Sequence, residues 1–158
     1  MIKRVFLSLL VVPALFIAGC SGEAANNAPN FTLENLNDSS VSLNQFQGRS
    51  LIINFWQLGC PPCIAELPHF QSVYTDGNTV AILTIAIGNS RETLETFMTE
   101  NGYSFPVLVD SNASVASAYN IRYTPTTVFI DKTGKVVDTK VGAFSSKSDL
   151  EQALSKLS

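Results

Sequence analysis

Cys60 and Cys63, separated only by Pro61 and Pro62 in the stretch FWQLGCPPCIAELP, are the residues of this chain best suited by type and spacing to carry chemistry. Two thiols this close can form and break a disulfide, supply half of a tetrahedral zinc site, or serve as a structural bridge. Zinc needs two further ligands, and the remaining candidates are Cys20 and the lone His69. A structural bridge closing so short a loop removes little chain entropy, and a domain of this length holds a core without one. Redox chemistry is therefore the favoured reading, with no metal, and His69 is expected as a half-exposed helix residue rather than a ligand or base.

A redox pair needs elements that hold it. Leu51 to Trp56, LIINFW, is a nearly continuous apolar run, as expected of a strand buried on both faces, and the cysteines follow its C-terminal end. After them Ile64, Leu67, Phe70 and Tyr74 recur at helical spacing, with Pro68 as an expected kink. Cys60 then sits at the mouth of an open sheet, and Cys63 lies in the first turn of a helix whose dipole and free amides favour a thiolate at Cys60. Pro61 and Pro62 suit a helix start, because neither has an N–H to leave unpaired and both pre-set the backbone angle. They also withhold hydrogen bonds that other dipeptides would offer the thiolate.

The rest of the chain alternates strands and helices. A hairpin is expected from Phe31–Leu33 and Val41–Leu43 around a turn at residues 37–40, a second buried strand from Thr79 to Ile87, and a helix capped by Ser90 and ended by Asn101-Gly102. A short strand over 105–109, a short helix over 110–119, a hairpin over 126–141 and a closing helix bearing Leu150, Ala153, Leu154 and Leu157 complete the pattern. It implies an α/β fold with parallel central strands and an antiparallel hairpin at one edge.

The first nineteen residues stand apart from this domain. Lys3 and Arg4 precede the apolar run VFLSLLVVPALFIA, which has the form of an export signal and is short for a membrane span. It ends in Ile17-Ala18-Gly19-Cys20, which resembles the lipobox of bacterial lipoproteins, so residues 1–19 are expected as a signal peptide and Cys20 as the lipidated mature N-terminus. The small polar stretch 20–29 reads as a flexible tether, and the domain as 30–158. Without Lys3 and Arg4 the formal charge of −3 becomes −5, which leaves no basic patch for nucleic acid. With Cys20 bearing lipid, an extracytoplasmic domain retains only Cys60 and Cys63, in a compartment where they can stay oxidised.

Phe55-Trp56, Cys60-Pro61-Pro62-Cys63, Pro68 and the distal Tyr123-Thr124-Pro125-Thr126 together resemble the thioredoxin superfamily. The lipobox, Ala28-Pro29-Asn30-Phe31-Thr32-Leu33, the CPPC and Glu66 resemble its membrane-anchored ResA/TlpA-like thiol-disulfide oxidoreductases, related to the AhpC/TSA redoxins. The resemblance implies a thioredoxin-like fold, a central mixed sheet flanked by helices, with an N-terminal β-hairpin and an αβ insertion over about 91–109. It also implies that Cys60 attacks the substrate sulfur and Cys63 resolves the mixed disulfide. Pro125 would be a cis-proline against the dithiol, the Thr124 backbone would pair with substrate, and Trp56, Pro61 and Pro62 would join it in substrate binding.

Two positions depart from the superfamily. Asn54 stands where thioredoxin buries an acid, and it cannot take a proton from the resolving cysteine, so Glu66, three residues after Cys63 and on the same helical face, is the candidate proton acceptor. Gly59 precedes the motif where the family carries a large side chain, which opens the rim.

The function implied is reduction of disulfides in exported proteins, such as apocytochrome c during cytochrome c maturation. A membrane donor of the CcdA/DsbD type would re-reduce the pair, in a monomer without cofactors at the outer side of a bacterial membrane. An envelope antioxidant electron carrier uses the same parts. A peroxiredoxin would need proline and threonine where Ile53 and Gln57 stand, and a copper-delivery module of the Sco type would need three residues between the cysteines and a histidine beyond His69.

Overall fold

A computed structural model describes residues 26–157; the expected signal peptide and the lipidation site Cys20 lie outside the described residues. Seven strands and four helices follow in order: β1 (Thr32–Glu34), β2 (Ser40–Ser42), β3 (Leu51–Trp56), α1 (Pro61–Asp76), β4 (Ala81–Ile87), α2 (Arg91–Asn101), β5 (Val107–Asp110), α3 (Ser114–Ala118), β6 (Thr126–Ile130), β7 (Val136–Val141) and α4 (Lys147–Ser155). A single 3-10 turn, Leu43–Phe46, links β2 to β3. The main sheet has the order β5-β4-β3-β6-β7, with β3, β4 and β5 mutually parallel and β6 antiparallel to both of its neighbours, β3 and β7, while β1 and β2 form a separate hairpin. This is the thioredoxin-like arrangement, and the α2–β5 pair is the insertion, adding β5 as the edge strand beside β4.

β3 is buried along its whole length because both faces of the sheet are covered. On one face Ile52 and Trp56 pack with α1, α2 and α4 through Leu67, Phe70, Leu94, Met98, Leu150 and Leu154. On the other, Leu51, Ile53 and Phe55 pack with Val115 and Ala116 of α3 and with Phe31 of the N-terminal segment. Asn54 falls between Ile52 and Trp56 in the alternation and so shares their face, a polar residue set among apolar ones.

The hairpin is tied to the insertion by Arg91, whose guanidinium donates to the Asn35 carbonyl oxygen and pairs with Glu34 at 2.7 Å and Asp38 at 3.3 Å. Ser90 caps α2 by accepting from the Thr93 amide at 3.3 Å, and Gly102 ends it in the left-handed region at φ 66°.

Several expectations change at their edges, among them the second buried strand, which starts at Ala81, and the hairpin strands, which shift by one residue. The strand expected over 105–109 is Val107–Asp110, because Pro106 has no N–H for the ladder while Asp110 pairs with Ile87. The helix expected from residue 110 starts only at Ser114: Asp110 is still in the strand, and its side chain reaches forward to accept from the first amides of α3. The tether expected over 20–29 is ordered at its end. Asn26 accepts from the Val136 amide at 2.7 Å, and the Ala28 amide donates to the Gly134 carbonyl at 2.9 Å, so 26–29 belong to the domain.

Asp110 has no exposed surface and accepts three hydrogen bonds, from the Val115 amide and the Ser114 hydroxyl at 3.3 Å and from the Ala116 amide at 2.8 Å. Its removal strands buried donors at the start of α3. Asp110→Ala is expected to lower the stability seen in urea denaturation by about 2 kcal/mol, and an unchanged midpoint would show that α3 does not depend on this cap.

Candidate active site

β3 ends at Trp56, and the turn of residues 57–60 carries the chain from sheet to helix, closed by the Cys60 amide donating to the Gln57 carbonyl at 3.2 Å. Cys60 is the N-cap of α1, and its sulfur accepts from the Cys63 amide at 3.3 Å. Pro61 and Pro62, the first two helical residues, have no amide hydrogen, so the donor that meets the Cys60 sulfur comes from Cys63. The two cysteines form a disulfide with Cα atoms 5.3 Å apart. α1 continues through Pro68, which leaves the Ile64 carbonyl without its helical donor on the exposed side.

The two cysteines differ in exposure. Cys63 has no exposed surface, whereas Cys60 keeps 6% and is flanked by exposed Gly59, Pro61 and Pro62. Of the two, Cys60 alone keeps exposed surface and borders the exposed rim, so an approach from outside meets Cys60 first. A Cβ built at Gly59 meets no atom within 4 Å, so the rim there is open space.

The Thr124-Pro125 bond is cis, and Pro125 is buried against the site while Thr124 is half-exposed. The Thr124 carbonyl oxygen lies 3.4 Å from the Cys60 sulfur, and the Thr124 hydroxyl accepts from the Gln57 side-chain amide at 3.3 Å. The structure therefore brings together Cys60, Cys63, Pro61, Pro62, Thr124 and Pro125 from regions more than sixty residues apart. Trp56 departs from expectation. It is completely buried, packs on Phe97 at 5.9 Å between ring centroids, and offers a substrate no surface; it supports the dithiol from beneath. His69 is half-exposed on α1, as expected.

Glu66 has no exposed surface, and its carboxyl group is held at both oxygens: Oε1 accepts from the Asn54 side-chain amide at 2.9 Å, and Oε2 from the Phe144 backbone amide at 2.8 Å. Burial pushes its pKa from the ordinary 4.5 up to about 7, against the lowering effects of the Phe144 amide, the Asn54 amide and the Lys140 charge, in that order. A carboxyl group that titrates near neutrality, one helical turn beyond Cys63, has the properties a proton acceptor needs.

Sequence reasoning missed Thr127, which accepts from Asn54 at 3.0 Å, and Asn89, whose side-chain oxygen holds the Leu58 amide at 3.1 Å. A signal existed for Thr127, a polar residue within the buried strand TTVFI; Asn89 sits in a loop and carried none.

With this geometry in view, similarity to known proteins is informative. Residues 24–139 match the AhpC/TSA family. The thiol-disulfide oxidoreductase ResA of Halalkalibacterium halodurans is 35% identical over 125 residues, covering 77% of this chain and 70% of the relative. This chain belongs to that family, as a ResA-type thiol-disulfide oxidoreductase. Among solved structures, StoA of Bacillus subtilis superposes with a TM-score of 0.70 at 27% identity, over 79% of this chain and 96% of StoA. The exposed lipoprotein thioredoxin of Streptococcus pneumoniae superposes with 0.73 at 29% identity, over 82% of this chain and all of its own (100%).

A raised carboxyl pKa is also a statement about stability. Between pH 4.5 and about 7 the folded Glu66 binds its proton more tightly than the unfolded one, so stability falls as pH rises through that window. The loss is on the order of 3 kcal/mol. Glu66→Gln is expected to flatten this fall in denaturation measured from pH 5 to 8, whatever its constant offset from placing an amide before two N–H donors. An undiminished slope would assign the titration to another group.

Proposed function

We propose that this oxidoreductase works outside the cytoplasm, held to a bacterial membrane by lipid on Cys20, and that it reduces disulfides in exported proteins. The charge, apolar run and lipobox of the first twenty residues support the location, and the similarity to an exposed lipoprotein thioredoxin is consistent with it. The observation that carries the chemistry is the pair of unequal cysteines, one at the exposed rim and one enclosed, with a buried carboxyl group three residues beyond the second.

In the reductive direction the Cys60 thiolate, stabilised by the Cys63 amide and the start of α1, attacks one sulfur of a target disulfide. A mixed disulfide forms and the other target sulfur leaves as a thiolate. Cys63 then gives its proton to Glu66 and attacks the Cys60 sulfur, which releases the second target thiolate. The target gains two electrons, the enzyme retains the Cys60–Cys63 disulfide seen here, and Glu66 returns its proton to solvent or to the departing thiolate. A membrane thiol donor of the CcdA/DsbD type closes the cycle by restoring both thiols. The half-exposed Thr124 backbone beside Cys60 is suited to pair with an extended target segment, and the open rim at Gly59 admits bulky neighbours of the target cysteine. Apocytochrome c, whose thiols must be reduced before haem attachment, is the proposed principal target.

Cys63→Ser in the full chain, produced in its own host, tests this. Covalent complexes through Cys60 with exported cysteine proteins, apocytochrome c among them, are expected, and none in a variant lacking both cysteines. Complexes confined to cytoplasmic proteins, or no complexes while a control oxidoreductase is trapped normally, would contradict the proposal.

A further inference from the structure

β3 and β6 run antiparallel with Asn54 directly opposite Thr127, and on either side the same row continues to Thr84 of β4 and Lys140 of β7. A line of four polar side chains therefore crosses the sheet. Thr84 uses its hydroxyl on the Pro106 carbonyl at 2.9 Å, and Lys140 donates to the Gly142 and Ala143 carbonyls at 3.0 and 2.8 Å. The two in the middle point at something else.

The Asn54 amide nitrogen has two hydrogens, and both are used: one on Glu66 Oε1 at 2.9 Å and one on Thr127 Oγ1 at 3.0 Å. Its carbonyl oxygen is buried with no hydrogen-bond partner among the described residues. Leaving such an acceptor unpaired carries a penalty, and an apolar side chain in its place would avoid it. The arrangement makes sense if the nitrogen must face Glu66. An ionised Glu66 accepts only, so it selects this orientation of the amide, and Thr127 holds the side chain there by accepting the second hydrogen.

We propose that Asn54, held in place by Thr127, is the positioning residue that aims the Glu66 carboxyl group and stabilises its ionised form. This rests on the reading of Glu66 as the proton acceptor for Cys63. The clamp connects the acid to the strand that begins directly after the cis-proline, so the acid on α1 and the substrate-pairing segment share one rigid support. Around Glu66 the titratable and charged neighbours are the dithiol from α1 and Lys140 from β7, whose charge acts on Glu66 and on Asp149 of α4. β3, β6 and the segment after β7 contribute Asn54, Thr127 and the Phe144 amide, none of which titrates.

The test follows the Glu66 side-chain carbon by NMR through a pH titration of the oxidised protein, in which the cysteines do not titrate, for wild type, Asn54→Leu and Thr127→Val. Removing a donor to the carboxylate raises the midpoint. An upward move of about one pH unit is expected for Asn54→Leu and a smaller one in the same direction for Thr127→Val. Thr127→Val keeps the shape of the core and decides the matter if Asn54→Leu does not fold. An unmoved Glu66 midpoint in the folded variants, even with lowered thermal stability, would overturn the proposal and leave Asn54 a packing residue. The pH profile of disulfide exchange by the reduced variants separates the two claims. A parallel shift supports both, whereas a moved midpoint with an unmoved profile keeps the clamp and removes Glu66 from proton transfer.

Discussion

The first turn of a helix leaves backbone amides without partners, and what fills that vacancy in α1 decides how this protein works. Two of the positions are prolines with no hydrogen to offer, and the next, at Cys63, is directed to the Cys60 sulfur. The reactive sulfur is thus held by its own partner cysteine, at the end of a strand that is buried on both sides. Such a strand cannot shift without disturbing two layers of packing, so the sulfur's place relative to Thr124 is fixed by the core and not by the loop.

Beneath the dithiol, the core admits a carboxyl group that thioredoxins place elsewhere. Where their strand carries the acid, this chain has Asn54, and the acid has moved to Glu66 on the facing helix. Strand and helix meet in one hydrogen bond, with the donor on β3 and the acid on α1. A carboxylate in this setting needs every hydrogen bond it has. The Phe144 amide comes from the segment between β7 and α4, and the Asn54 amide from β3, so parts far apart in sequence must assemble before the acid is satisfied.

Much of this was visible in the residues themselves. LIINFW and TVAILTIAI announce buried strands because no charge interrupts them, and CPPC with a distal Thr-Pro names the chemistry. Glu66 could be nominated from its spacing to Cys63, since residues three apart share a helix face. Its partners could not be nominated, because Asn54 and Phe144 meet it, and Thr127 meets Asn54, only through strand register and a loop that no local pattern describes. Trp56 misled for the related reason that an aromatic beside a motif looks equally suited to a surface and to a core; burial on both faces of β3 decides for the core. The edges of β5 and α3 were misplaced because Asp110, a residue that suits a helix start by type, serves the strand with its backbone and the helix with its side chain.

The central claim is that the two sulfurs are unequal, with Cys60 the nucleophile and Cys63 enclosed. Alkylation of the reduced full chain by iodoacetamide, with the modified residue identified by mass spectrometry across pH 5 to 9, measures this directly. The account predicts modification of Cys60 first, already substantial below the pH at which an ordinary thiol reacts, with Cys63 protected until the protein is denatured. Equal reaction of both cysteines in the folded protein, or reaction of Cys63 before Cys60, would contradict it.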